Sequence, residues 1–200
     1  MILAVGITGN VEKIGLEATR VKVERSHVVV NQFLETDEKG VYAIGDLVGP
    51  PWLAHKAMHE GVICVEHIAG RHVHPLDTEN VPGCTYCDPE IGSVGLTERE
   101  AKERGLDVRI GTFPFGVLGR AKIAGELDGF VKIVAEKKYD EVLGVHMIGP
   151  RATELVAEAT LALRLESTVE ELISTIHAHP TMAEAVGEAA HAVHGGAIHM

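Results

Sequence analysis

Only three cysteines occur in the 200 residues, at positions 64, 84 and 87, so no even disulfide framework can staple the chain. Basic residues are scarce as well. Eighteen Lys and Arg stand against 29 Asp and Glu, which leaves a net charge of −11. That balance argues against non-specific binding to nucleic acid or to anionic membrane surfaces, because both need basic patches. No run approaches the roughly 18 apolar residues of a transmembrane helix. Residues 1–9 are short and lack a basic start, so no secretory leader is expected. Cytoplasm, or an organelle matrix after import, is the expected location.

What is present suits a globular protein. Hydrophobic residues make up 46% and charged residues 24%, enough to build a core in one large domain or two small ones. The histidines stand out. There are 12, with close groups at His67, His72, His74 and at His191, His194, His199. Metal binding is the sharp interpretation. The spacings match no tetrahedral His/Cys pattern, so no metal site is expected.

Ile2 to Gly6 reads as a buried strand ending in a glycine turn. A strand so apolar needs neighbours that nothing nearby supplies, and a fragment of a longer protein is therefore expected. His27–Val30 and Val41–Ile44 also read as strands. Leu53 to about Ile68 reads as a helix with Ala57, Val62, Val65 and Ile68 on its buried side. Residues 70–79 read as a linker. A second unit begins near Val81 with the strand-like Cys84–Cys87. Thr97 and Glu100 form a capping box for a short helix. Val108–Phe115 reads as extended, and 130–135 with 142–148 as a hairpin. Helices are expected at about 151–166, 168–177 and 181–193, the second opened by a Thr168–Glu171 capping box. Strands first and helices last make this an α+β domain with an antiparallel sheet.

Two stretches carry chemistry. In "TDEKGVYAIGDLVGPPWLAHKAMHEG", residues 36–61, Asp46 sits where a strand ends. Its carboxylate can accept hydrogen bonds from sugar-like hydroxyls. The helix starting near Leu53 aims backbone N–H groups at whatever lies before it. In "STIHAHPTMAEAV", residues 174–186, Pro180 ends one helix and holds His179 extended. Glu184 can then do either of two things. It can close a capping box with Thr181, or it can reach back to His179, fix its tautomer and support an imidazolium. Both hold only if its two oxygens divide the work.

The first stretch resembles the second flavin-binding motif of the two-dinucleotide-fold flavoprotein disulfide reductases. Leu53-Ala54-His55-Lys56-Ala57 and Glu60-Gly61 resemble the dihydrolipoamide dehydrogenase branch in particular. "ILAVGITGN", "VPGCTYCDPEIGSVGLTE", the His-x-His-Pro-Thr segment and the tail "EAAHAVHGGAIHM" extend the resemblance over essentially the whole chain. The resemblance implies that Asp46 meets the ribityl chain of FAD and that Trp52, Leu53, Ala54 and His55 lie against the flavin. It implies that Gly6 lies near the NAD cofactor, and that His179 is the catalytic base with Glu184 as its partner. It also implies a homodimer that oxidises dihydrolipoamide on lipoyl domains of 2-oxoacid dehydrogenase complexes or of the glycine cleavage protein. His177 falls on the same motif in a supporting part.

The family also needs an early Gly-x-Gly-x-x-Gly turn and a cysteine pair separated by four residues, and neither occurs here. Cys84 and Cys87 are separated by two, on a strand-like segment. The expected organisation is therefore the end of an NAD-binding domain at 1–15, a second, partial Rossmann-like segment of the FAD-binding domain at 16–79, and the interface (dimerisation) domain at 80–200. Two alternatives stand beside this reading. One is a stand-alone dimerisation module without catalysis. The other is a mercuric or glutathione reductase, although the tail from His191 to Met200 has no cysteine pair.

Overall fold

The computed structural model describes all residues, 1–200, and resolves two compact units, Met1–Thr78 and Glu79–Met200. No helix is long and apolar enough to cross a membrane.

The first unit has little regular structure. β1 (Val23–Glu24) pairs antiparallel with β2 (His27–Val28). Residues 2–6 form no strand, and Ile2, Leu3 and Val5 are exposed. A strand exists only where a neighbour takes its N–H and C=O groups, and no segment of this chain does so there. The expected Val41–Ile44 strand is reduced to one bridge, Tyr42 to Glu35, with Ala43 donating to the Leu34 carbonyl. A 3₁₀ turn, Gly45–Val48, follows and opens on the left-handed Gly45. α1 (Ala54–Ile68) then runs for 15 residues. Its buried side is not the expected one. Val62, Val65 and Ile68 are more than half exposed, whereas Lys56, Glu60 and Cys64 are buried. These three recur at i, i+4, i+8 and so share one face. That face wins because Lys56 and Glu60 neutralise each other and supply partners to the 3₁₀ turn, as described below.

The second unit is an antiparallel five-stranded sheet with helices after it. The strands are β3 (Gly83–Thr85), β4 (Ile91–Gly95), β5 (Val108–Pro114), β6 (Phe130–Glu136) and β7 (Val142–Ile148), in the order β3-β4-β7-β6-β5. α2 (Glu98–Glu103) starts from a complete Thr97–Glu100 capping box. α3 (Gly119–Ala124) has no counterpart in the sequence reading. α4 (Ala152–Arg164), α5 (Val169–Ser174) and α6 (Glu184–Val193) complete the unit. Thr168 and Glu171 cap α5 reciprocally.

Alternation along the strands separates two faces. Val94, Phe113, Val131, Ile133, Val145 and Met147 are buried under α4 and α6. α6 sits very close to β5, because a Cβ on Gly111 would lie 2.1 Å from the Ala189 carbonyl oxygen. On the other face Val134 and Leu96 form a smaller cluster with Ala101 of α2. That face also carries the row Ser93, His146, Lys132, set by strand register. His146 hydrogen-bonds the Ser93 hydroxyl through Nδ1 and the Leu96 carbonyl through Nε2.

Candidate functional site

α5 stops at Ser174, and the chain turns extended at Thr175. The His179–Pro180 peptide bond is cis. Thr181 does not cap the next helix. Its hydroxyl donates to the Ala178 carbonyl, and α6 starts at Glu184 after Ala183. The expected capping box is therefore only half present. The Thr181 N–H donates to Glu184 Oε2 at 2.8 Å, with no return bond from the Thr181 hydroxyl to the helix. The other oxygen, Oε1, faces His179 Nδ1 at 2.8 Å. The two oxygens do divide the work.

This division has a chemical consequence. An ionised carboxylate only accepts, so Nδ1 carries the proton, and in the neutral ring it is Nε2 that holds the lone pair. The His179 side chain is 75% exposed while that of Glu184 is 19% exposed. Burial pushes the Glu184 carboxyl upward, but the Thr181 amide, the His179 hydrogen bond and its charge, and the charge of His199 together hold it below the usual carboxylate range. Glu184 thus remains an anion at neutral pH, oriented by one backbone N–H and able to stabilise an imidazolium.

Three further histidines of this unit also meet carboxylates singly. His177 Nε2 lies 2.7 Å from Glu158, His194 Nε2 2.8 Å from Asp140, and His199 Nδ1 2.5 Å from the buried Glu188. No set of three His, Cys, Asp or Glu side chains comes together in a form that could hold a metal ion.

In the first unit Asp46 and residues 52–55 lie on one continuous stretch, the 3₁₀ turn, the following loop and the start of α1. Asp46 and Trp52 are exposed. No side chain caps the N-terminus of α1, and no acidic residue lies in its first turn. That end therefore presents positive dipole and backbone donors. The Trp52 indole N–H donates to His27 Nε2 at 3.3 Å, with the rings stacked. Gly6 lies in the segment without regular structure, and nothing comes within 4 Å of its Cβ position.

Two residues that hold this stretch escaped the sequence reading as a pair. Glu60 Oε2 accepts the Gly45 N–H at 2.7 Å, and Glu60 Oε1 meets Lys56 Nζ at 2.9 Å. Lys56 Nζ also donates to the Gly49 carbonyl at 3.0 Å. The buried ion pair thus ties the turn bearing Asp46 to the helix whose N-terminus follows it. The i, i+4 spacing of Lys56 and Glu60 was the available signal. A Cβ on Gly45 would stand 3.3 Å from the Ala57 Cβ, so the turn lies tight on the helix. An exposed carboxylate beside an uncapped helix start fits a group with hydroxyls and a ring that becomes anionic on reduction, as FAD has.

Residues 81–190 match the family model of the pyridine nucleotide-disulphide oxidoreductase dimerisation domain, and residues 1–61 match that of the pyridine nucleotide-disulphide oxidoreductases. The chain belongs to the pyridine nucleotide-disulphide oxidoreductase family. Within it, the chain is 53% identical to dihydrolipoyl dehydrogenase of Bacillus subtilis over 100% of its own length and 42% of that protein. It is 46% identical to the mitochondrial dihydrolipoyl dehydrogenase of Pisum sativum, over 96% of this chain and 37% of that one. LpdA from Mycobacterium tuberculosis, a solved structure, superposes with a TM-score of 0.87 at 29% identity, over 92% of this chain and 40% of that chain. The chain thus spans about two fifths of the length of the curated relatives it matches.

Proposed function

We propose that this chain is the part of a dihydrolipoyl dehydrogenase that supplies the catalytic base and the dimer interface. The observation that carries the reading is the exposed imidazole of His179, held by Glu184 with its Nε2 lone pair toward solvent. In this reading Nε2 takes the proton from a dihydrolipoyl thiol. The S–H bond breaks, an N–H bond forms, and Glu184 stabilises the imidazolium. The thiolate attacks one sulfur of a redox disulfide outside this chain and expels the other as thiolate. Cys64, Cys84 and Cys87 are free, so none of them forms that disulfide here. When bound, FAD supplies the path for the electron pair to NAD⁺.

The residues present fit that cofactor. Asp46 would accept from the ribityl hydroxyls, and the backbone of Trp52, Leu53, Ala54 and His55 would face the ring. Gly6 would lie near NAD. The corresponding domains are 1–15 (end of the NAD-binding domain), 16–79 (FAD-binding segment) and 80–200 (interface domain). The partners are a second copy and the lipoyl domains of 2-oxoacid dehydrogenase complexes or of the glycine cleavage protein. The location is the cytoplasm, or the mitochondrial matrix in a eukaryote.

A chimera tests the reading. This chain would replace the matching portion of the Bacillus subtilis dihydrolipoyl dehydrogenase, and lipoamide-dependent NAD⁺ reduction would be followed. His179→Gln is expected to lower kcat by about 10²-fold or more, the span of general base catalysis. Near-normal turnover of that variant sinks the base assignment. A chimera that dimerises but never turns over, with His179 intact, favours the non-catalytic dimerisation module.

A further inference from the structure

The loop between α5 and α6 touches α6 twice. His179 meets Glu184. His177 meets Gly187, three residues further along the helix. A Cβ on Gly187 would lie 3.0 Å from His177 Nδ1 and 3.2 Å from its Cε1, so the ring rests on the helix where a side chain is missing. Positions i and i+3 share a helix face, so both imidazoles are received by adjacent turns of one surface. From α4, Glu158 Oε1 takes His177 Nε2 at 2.7 Å. The two histidines differ sharply in exposure: His177 is 11% exposed at the side chain and His179 is 75%. One is an anchor and the other is presented.

We propose that His177, clamped between Glu158 of α4 and Gly187 of α6, is the positioning residue that sets the loop so that His179 meets Glu184 with Nδ1 protonated. The proposal rests on His179 being the base. Its logic is geometric. The His179 side chain is mostly in solvent and meets Glu184 alone, so its own contacts cannot hold a loop. His177 is largely covered and bridges two helices. The groups facing it are Glu158 from α4, Glu184 from α6 and the backbone at Thr175. The Glu158 hydrogen bond, against the opposing effect of burial, raises the His177 pKa. The clamp therefore has ionic character in mildly acidic solution.

The test is made on this 200-residue chain by NMR. The readouts are the exchange rate of the Thr181 amide, which Glu184 holds, and the His179 tautomer from long-range ¹H–¹⁵N correlations. Glu158→Ala is expected to speed Thr181 exchange about tenfold, the size of one lost hydrogen bond, and to erase the Nδ1–H preference of His179. Glu158→Gln, which still offers an oxygen to His177, is expected to restore most of both. Gly187→Ala, which pushes a methyl into the ring, is expected to reproduce the Glu158→Ala signature. If Gly187→Ala fails to fold, the Glu158 pair of variants decides alone. Unchanged Thr181 exchange and His179 tautomer in Glu158→Ala overturn the proposal. So does faster exchange spread evenly over α6, which would make the clamp merely structural. None of these readouts involves turnover, so they fail or succeed separately from the His179→Gln test of the base.

Discussion

α1 and α6 are helices of the same chain that bury opposite kinds of side chain. α6 hides Ala185, Val186, Ala189, Ala190 and Val193 in the core, with Glu188 as its single buried charge, paired with His199. α1 hides a lysine, a glutamate and a cysteine, and leaves Met58, Val62, Val65 and Ile68 in solvent. The second unit is thus held by apolar area removed from water, which needs close approach and no direction. The first unit is held locally by a directional ion pair that also satisfies backbone groups. The difference teaches where each unit is fragile. One fails when volume is wrong, the other when a charge loses its partner.

The largest effect is expected at Gly111. Gly111→Val would drive a side chain into the Ala189 carbonyl and Val193, costing more than about 3 kcal/mol. Far-UV circular dichroism in urea would show early loss of helix, and an unchanged midpoint would refute the close packing of α6. Next is Glu60→Ala. It strands a buried Lys56 charge and frees the Gly45 amide, at a cost of about 3 kcal/mol. The only tryptophan, Trp52, lies in that unit, so its emission should shift to the red and lose any cooperative urea transition. A sharper comparison pairs two valines. Val186→Ala in the core is expected to cost about 2 kcal/mol, while Val65→Ala stays within about 0.5 kcal/mol. Equal costs would mean that the apolar face of α1 is covered in solution, and the contrast would fall.

The smallest effect concerns pH. The His177 pKa is raised in the folded state. Its pairing with Glu158 therefore stabilises fully below the unfolded value of about 6.5 and fades as pH rises through the higher folded value. Between pH 6 and pH 8 the urea midpoint of the second unit should fall slightly. Glu158→Gln should flatten that slope.

Much of the second unit could be read in advance. Alternation along 130–135 and 142–148, and the capping boxes at Thr97 and Thr168, are local signals, and they recur as β6, β7, α2 and α5. α3 was missed because its six residues are too few to show a helical period. The strands expected at 2–6 and 41–44 failed for a different reason. Apolar runs state a demand for partners, but they do not supply them. The buried side of α1 departs from its hydrophobic pattern because of the turn packed against it. There Lys56 and Glu60 find backbone partners that make their burial tolerable.

The sequence by itself determined the α+β character of the second unit, the helix starts, and the residue types His179 and Glu184 five apart across a proline. These follow from short-range rules of period, cap and ring geometry. Only the tertiary structure decided that Glu184 splits its two oxygens between Thr181 and His179, that His177 is held between α4 and α6, and that α1 turns its charges inward. His177 reaches Glu158 across 19 residues and Glu60 reaches Gly45 across 15, distances that no local pattern encodes. The Glu184 contacts span only five and three residues, but both form because α6 begins at Glu184 and not at Thr181.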